Sequence, residues 1–228
     1  MRLVRGRADT PAADRGVTDR LVSAVGETGQ PILRVWQPPR QVAFGRRDAH
    51  REGYDGARQH LAERDIPYVE RATGGHAVFF SGTTVSFLRA TPVEDGRSSI
   101  TDRYETTIEA VKGALSRLGV ETSEGEPEGA FCPGTHSLSA EGKIVGLAQR
   151  VRRDTAVISG IVVVRDHEEI NEVLGPIYQA LEIPFERTAT GSIARTGGES
   201  DPERVCRELE RALSVGEVTV ERVGINQE

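Results

Sequence analysis

Between Ser98 and Leu118 the apolar residues Ile100, Tyr104, Ile108, Val111, Leu115 and Leu118 recur every three or four positions, which predicts one face of a helix. Val17, Leu21 and Val25 predict a shorter helix over 14–28, and Tyr54, Ala57 and Leu61 another that runs to about Arg64. Strand-like runs cover Ile32 to Trp36, Gln41 to Phe44, Ile66 to Val69, Ala77 to Phe80 and Thr83 to Leu88. Pro38-Pro39 separates the first two runs and predicts a hairpin between them. Further on, Leu138, Ile144 to Val151 and Thr155 to Val164 read as strands, with Arg152-Arg153-Asp154 as a second hairpin connection. Asp166 with Glu169 looks like a capping pair that opens the helix HEEINEVL. Asp201 and Pro202 start a helix through Val205, Leu209 and Leu213, and Glu217 to Val223 predicts a closing strand. The acidic, glycine-bearing stretch ETSEGEPEGA, 121–130, predicts a loop.

Strand pairs joined by short turns, with a few helices between them, point to an α+β fold. Its sheet is expected to be mixed and largely antiparallel, with helices packed on it. Strict strand-helix alternation is absent. At 228 residues the chain is expected to form a single domain over 1–228.

Composition narrows the function. A net charge of −6 argues against a duplex-binding surface, so no nucleic-acid partner is expected. Two cysteines make no disulfide framework, which fits a reducing compartment. The basic N-terminus lacks the apolar core of a signal peptide, and no run is long enough to span a bilayer. A cytoplasmic protein without a membrane partner is the expectation.

One stretch combines two rare residue types. FCPGTHSLSAEGKIVGLAQR, 131–150, holds Cys132 in a Pro-Gly turn and Lys143, one of two lysines among 29 basic residues. An ammonium can give up its proton where a guanidinium in practice cannot. A thiol beside a cation is biased towards the reactive thiolate, so the pair suits acyl-thioester formation. A buried, inert cysteine is the competing reading, and spacing alone does not show that the two side chains meet. A second candidate is Arg71-Ala72-Thr73-Gly74-Gly75-His76, where adjacent glycines let the backbone approach a ligand and Arg71 can pair with an anion. A plain turn fits those glycines as well. His76 and His136 sit in turns where an imidazole can move a proton. The spacing of Cys132 and His136 suggests a metal only if a second ligand pair exists, and none is visible, so no metal is expected. Cys206 falls within a predicted helix and reads as a packing residue.

RATGGHAVFF resembles the R-x-[ST]-G-G-x-x-V segment of the biotin/lipoate protein ligase and octanoyltransferase superfamily. KIVGLAQR resembles its K-[IV]-x-G-x-A/S-Q segment, and LRVWQPPRQVAFGRRD its early tryptophan strand and Gly-Arg turn. The three matches occur in family order over roughly residues 32 to 165. The run FCPGTHSLSAEGKIVGLAQR looks most like the cysteine-dependent octanoyl/lipoyl amidotransferase branch. The resemblance implies the α+β catalytic domain of that superfamily. It implies an acyltransferase that moves an octanoyl or lipoyl group from the glycine-cleavage H protein, or from acyl carrier protein, to a lysine of the lipoyl domains of 2-oxoacid dehydrogenases. Cys132 would then be the thioester nucleophile, and Lys143 would favour its thiolate and stabilise the tetrahedral oxyanion. Arg71, Thr73, Gly74, Gly75 and His76 would line the acyl pocket, with Gly146 and Gln149 also binding substrate. The transferase needs no cofactor. An ATP-dependent lipoate ligase passing through lipoyl-adenylate, with ATP and Mg, is the second reading. A non-catalytic acyl- or carrier-binding module is the third. The chain departs from the branch at His136-Ser137, where an aromatic-Asp pair is usual, and in having Lys143 alone where two lysines are frequent. Ile158-Ser159-Gly160 replaces the His-His-Gly of many ligases. Arg46, Arg47, Arg150, Arg152 and Arg153 are candidates for steering acidic carrier domains.

Overall fold

A computed structural model describes residues 1–71, 74–93, 100–152 and 154–223. The elements in chain order are β1 (Arg2–Arg5), α1 (Pro11–Thr28), β2 (Ile32–Trp36), β3 (Gln41–Phe44), α2 (Tyr54–Ala62), β4 (Tyr68–Glu70), β5 (Val78–Phe80) and β6 (Val85–Pro92). They continue with α3 (Ile100–Arg117), β7 (Ser123–Glu124), β8 (Ser137–Ser139), β9 (Lys143–Val151), β10 (Thr155–Val162), α4 (His167–Ala180), α5 (Pro202–Leu213) and β11 (Thr219–Arg222). An eight-stranded sheet runs β11-β1-β2-β6-β10-β9-β8-β7, and a three-stranded sheet runs β4-β3-β5. In the large sheet only β1 makes parallel pairs, with β2 and β11, so the mixed, largely antiparallel α+β expectation holds.

Strand alternation divides the large sheet into two faces. Leu33, Phe87, Val145, Leu147, Ile158 and Val162 point to one side, where Ile108, Val111 and Leu115 of α3 and Val205 and Leu209 of α5 cover them. Ile32, Leu88 and Ala90 point to the other and meet Val22 and Val25 of α1. The small sheet forms a separate core with α2 and α4, built from Val42, Phe44, Ala57, Leu61, Leu174 and Tyr178. Ile161, on the α1 side of β10, packs against that second core. The space between the small sheet and the large one is where the candidate site forms.

Local signals place most elements. Asp201 caps α5, its carboxylate accepting from the amides of Glu203 and Arg204. The β9–β10 hairpin pairs Val151 with Ala156 as its turn residues predict. Three expectations fail. Ser123–Glu124, inside the expected loop 121–130, form β7 and pair with β8. Ile32–Trp36 and Gln41–Phe44 do not form a hairpin: β2 pairs with β1 and β6, while β3 lies between β4 and β5. Two consecutive prolines cannot donate to a ladder, and they carry the chain from one sheet to the other. Asp166 does not cap α4 through its side chain. It takes a left-handed φ of 58°, and its carboxylate accepts from Ser81 Oγ at 3.0 Å and Thr83 Oγ1 at 2.7 Å. The helix it precedes also passes through Pro176, so the apolar stripe extends to Ile177 and Tyr178 beyond the predicted HEEINEVL. Among the described residues no helix is long and apolar enough to cross a membrane.

Candidate active site

Cys132 sits in the loop between β7 and β8, directly after the buried Phe131, and takes a left-handed φ of 43°. That conformation is sparsely populated for a residue with a Cβ and requires outside support. Tyr178 of α4 supplies it. The buried phenol accepts from the Cys132 amide at 2.6 Å and donates to the Ala77 carbonyl at 2.9 Å. Burial pushes the Tyr178 hydroxyl well above its ordinary value, so it remains a neutral donor-acceptor bridge. Cys132 itself is partly exposed.

Gly75 and Arg71 form the wall against the sulfur. A Cβ at Gly75 would lie 2.7 Å from Cys132 Sγ, so a side chain there would displace the thiol. Gly75 also has a φ of 87°, which favours glycine for a second reason. Arg71 Nη2 donates to the His76 carbonyl and lies 3.9 Å from Cys132 Sγ. The Arg71 amide is held by the Phe44 carbonyl at 2.8 Å, which fastens this loop to the end of β3. Gly45 follows Phe44, and a Cβ there would fall 1.8 Å from the Gly75 carbonyl oxygen. The two loops touch only because position 45 is glycine. His76 Nδ1 meets the fully buried Asp48 carboxylate at 2.8 Å, and Asp48 also accepts from the Gly45 amide.

Lys143, 1% exposed, approaches from the large sheet. A bulge aims it: Ser139 pairs with Lys143 and Leu138 with Val145, leaving Ile144 as the extra residue of β9. The bulge sets Lys143 on the same face as Gly146, where a Cβ would lie 3.1 Å from Lys143 Cε. The ammonium donates to Glu126 Oε1 at 2.9 Å and Oε2 at 3.1 Å, to the Phe131 carbonyl at 3.1 Å and to the Cys132 carbonyl at 2.9 Å. Three donors are thereby spent on one carboxylate and two carbonyls. Glu126 further accepts from the Gly134 amide and from Ser137 Oγ, so one carboxylate gathers the whole Cys132 turn.

The structure thus brings Cys132, Lys143, Arg71, Gly75, His76 and Gly146 to one place. Gly74 belongs to the same loop, and a Cβ there would meet nothing within 4 Å. Thr73 lies outside the described residues, as does Arg153. Gln149 is placed elsewhere. Three residues beyond Gly146 on an extended strand, it faces α3, where its amide, with oxygen and nitrogen exchanged, donates to the Ile100 carbonyl and accepts from the Arg103 guanidinium. His136 stacks on Tyr104 of α3, with ring centroids 3.6 Å apart. A cavity lined by Arg89, Thr91, Arg103 and Thr107 also opens on that α3 side, across the sheet from the thiol. Cys206 packs partly buried against the main core, and burial pushes its thiol up to about 12. Arg46, Arg47, Arg150 and Arg152 are all exposed. Sequence reasoning missed Glu126, Asp48 and Tyr178. Glu126 is one acid among several in a loop, and Tyr178 reads as one more apolar position of a helix.

Compared with known families, residues 11–212 match the Lipoyl protein ligase A/B catalytic domain. The chain is 27% identical over 150 residues to an octanoyl-[GcvH]:protein N-octanoyltransferase of Oceanobacillus iheyensis, covering 64% of this chain and 53% of that relative. It is 30% identical over 145 residues to a protein of the same description from Geobacillus kaustophilus, covering 62% and 51%. To a lipoyl-[GcvH]:protein N-lipoyltransferase of Listeria monocytogenes it is 25% identical over 163 residues, covering 70% and 59%. The matched chain spans about half the length of these relatives. Among solved structures, a putative lipoate protein ligase from T. acidophilum with bound lipoic acid superposes with a TM-score of 0.63 at 21% identity. That superposition covers 98% of this chain and 90% of the other. A P. falciparum protein in complex with lipoate gives a TM-score of 0.67 at 13% identity, covering 97% and 65%. At these identities the likeness is one of fold.

Proposed function

Since the chain belongs to the lipoyl protein ligase A/B catalytic domain family, we propose that it is an acyltransferase of protein lipoylation working through a Cys132 thioester. The observation that carries this reading is a partly exposed cysteine in a supported left-handed turn, walled by the glycine loop and anchored by Lys143. A family member acting only through an acyl-adenylate has no use for a cysteine presented in that way. The glycine-cleavage H protein is the proposed donor, in keeping with the names of the relatives, and lipoyl domains of 2-oxoacid dehydrogenases are the acceptors.

In the first half-reaction the Cys132 thiolate attacks the carbonyl carbon of the acyl-lysine amide on the donor. A C–S bond forms, the C–N bond breaks, and the leaving amine takes up a proton. In the second, the neutral amine of the acceptor lysine attacks the thioester. A C–N bond forms, the C–S bond breaks, and the thiolate is regenerated with release of a proton. No ATP enters, because one amide is exchanged for another. Lys143 anchors the main chain of the nucleophile through the Phe131 and Cys132 carbonyls. An alkyl chain buried beside Cys132 would gain about 0.8 kcal/mol per CH2.

Incubation with octanoylated H protein in the absence of ATP tests the reading by intact mass. An octanoyl adduct removed by hydroxylamine, and absent in Cys132→Ala, is expected. Transfer that persists in Cys132→Ala would overturn it. Modification of an apo lipoyl domain by free lipoate only when ATP is added would establish the ligase instead. No adduct and no transfer with any donor would leave a binding module.

A further inference from the structure

We propose that Arg71, not Lys143, is the cation that holds the Cys132 sulfur as a thiolate, while Lys143 fixes the main chain of the nucleophile turn. The division follows from where each cation spends its donors. Lys143 has none left for sulfur: Glu126 and the carbonyls of Phe131 and Cys132 take them all. The Glu126 carboxylate, 2.9 Å from the ammonium, also cancels most of the lysine's charge as felt at Sγ.

Arg71 is in the opposite condition. Its Nη2 is 3.9 Å from Sγ, and its Nε is buried without a hydrogen-bond partner. No carboxylate of the described residues forms an ion pair with it. Its backbone amide is fastened to Phe44 and its guanidinium to the His76 carbonyl, so the charge is held in place. A partly buried, permanently charged guanidinium with no carboxylate partner favours an anion in contact with it, and the group in contact is the thiol. The other titratable groups around Cys132 are already engaged with one another. His76 pairs with Asp48, Lys143 with Glu126, and Tyr178 bridges the Cys132 amide and the Ala77 carbonyl. Gly75, lacking a Cβ, leaves the path between sulfur and guanidinium clear.

The proposal deepens the transferase reading and takes its purpose from it, but the thiolate can be read without any acyl transfer. The experiment follows alkylation of Cys132 by iodoacetamide against pH on the whole chain, with a Cys206→Ser background so that one thiol reports. Wild type is expected to reach half its maximal rate at a pH below about 8.5, the value of a free cysteine. Arg71→Gln is expected to move that midpoint up by about one unit, cutting the rate at neutral pH roughly tenfold. Lys143→Gln made together with Glu126→Gln, which removes the ion pair without leaving an unpaired carboxylate, is expected to keep the wild-type midpoint. A wild-type midpoint equal to that of a free thiol overturns the proposal, as does a shift in this double variant as large as that of Arg71→Gln. If Arg71→Gln fails to fold, a double-variant midpoint raised to that of a free thiol still overturns the proposal. A low wild-type midpoint without any octanoyl adduct would sink the transferase reading and leave the Arg71 contact standing.

Discussion

Two buried cations in this protein solve one physical problem in different ways. Arg34 on β2 is fully buried, and its guanidinium meets Asp14 of α1 at 2.5 Å and Thr18 Oγ1 at 2.6 Å. The plane stacks over Trp36, whose indole N–H donates to the same Asp14. Burial pulls Arg34 below its usual value and Asp14 pulls it back up. Every partner there belongs to β2 or α1 except the Gly6 carbonyl just beyond β1. Lys143 is as deeply buried, but its partners are a loop carboxylate and the carbonyls of the Cys132 turn. Both arrangements satisfy the rule that a buried charge must be paired. The first ties scaffold to scaffold with a residue that cannot lose its proton. The second ties scaffold to the Cys132 loop with one that can.

Four substitutions test this contrast. Arg34→Leu leaves Asp14 buried without its cation and is expected to cost about 3–5 kcal/mol of stability in urea unfolding. The alkylation rate of Cys132 in the folded fraction should not move, and a matching loss of thiol reactivity would break the separation of the two regions. Glu126→Gln removes the carboxylate from Lys143 and should cost less, about 1–3 kcal/mol. Its larger effect is expected on octanoyl transfer, roughly tenfold or more, because the nucleophile turn loses its centre. Tyr178→Phe strips the acceptor from the Cys132 amide and the donor from Ala77, for about 1–2 kcal/mol. Its signature is a slower Cys132 alkylation at every pH with an unmoved midpoint.

The smallest effect belongs to the sheet edge. Glu221 of β11 receives two hydrogen bonds from Arg2 of β1, chiefly for which its carboxyl titrates below the usual range. A depressed carboxylate contributes stability above its unfolded value, about 4.3, and that contribution fades as pH falls through the lower folded value. Being surface-exposed, the pair is worth at most about 1 kcal/mol. Glu221→Gln should therefore lower Tm slightly at pH 7 and not at pH 2, and high salt should blunt the difference.

How far these features could be read in advance depends on how local their causes are. The α3 stripe, the α5 cap and the β9–β10 hairpin rest on neighbours within a few positions, and each formed as its residues imply. Ile100 is the exception within α3: although in step with the stripe, it is 57% exposed at the helix start, beyond the reach of the core. Cys132 and Lys143 stood out by rarity of type, which needs no contact information. Gln149 shared a motif with Gly146 and was expected beside it, yet an odd separation along a strand sends the two to opposite faces. No pattern of residue types announces the bulge at Ile144 that turns Lys143 towards the turn.

By itself, then, the sequence determined most of the elements, the α+β class and the pair of residues on which the chemistry is proposed to rest, because period, caps and side-chain type act over short distances. Only the tertiary structure decided what that pair faces. Glu126 is 17 positions from Lys143, Arg71 is 61 from Cys132, and Tyr178 is 46 from Cys132. Such partners meet through the closing of loops between two sheets, and charge neutralisation at Lys143 leaves Arg71 as the cation beside sulfur for reasons no local spacing contains.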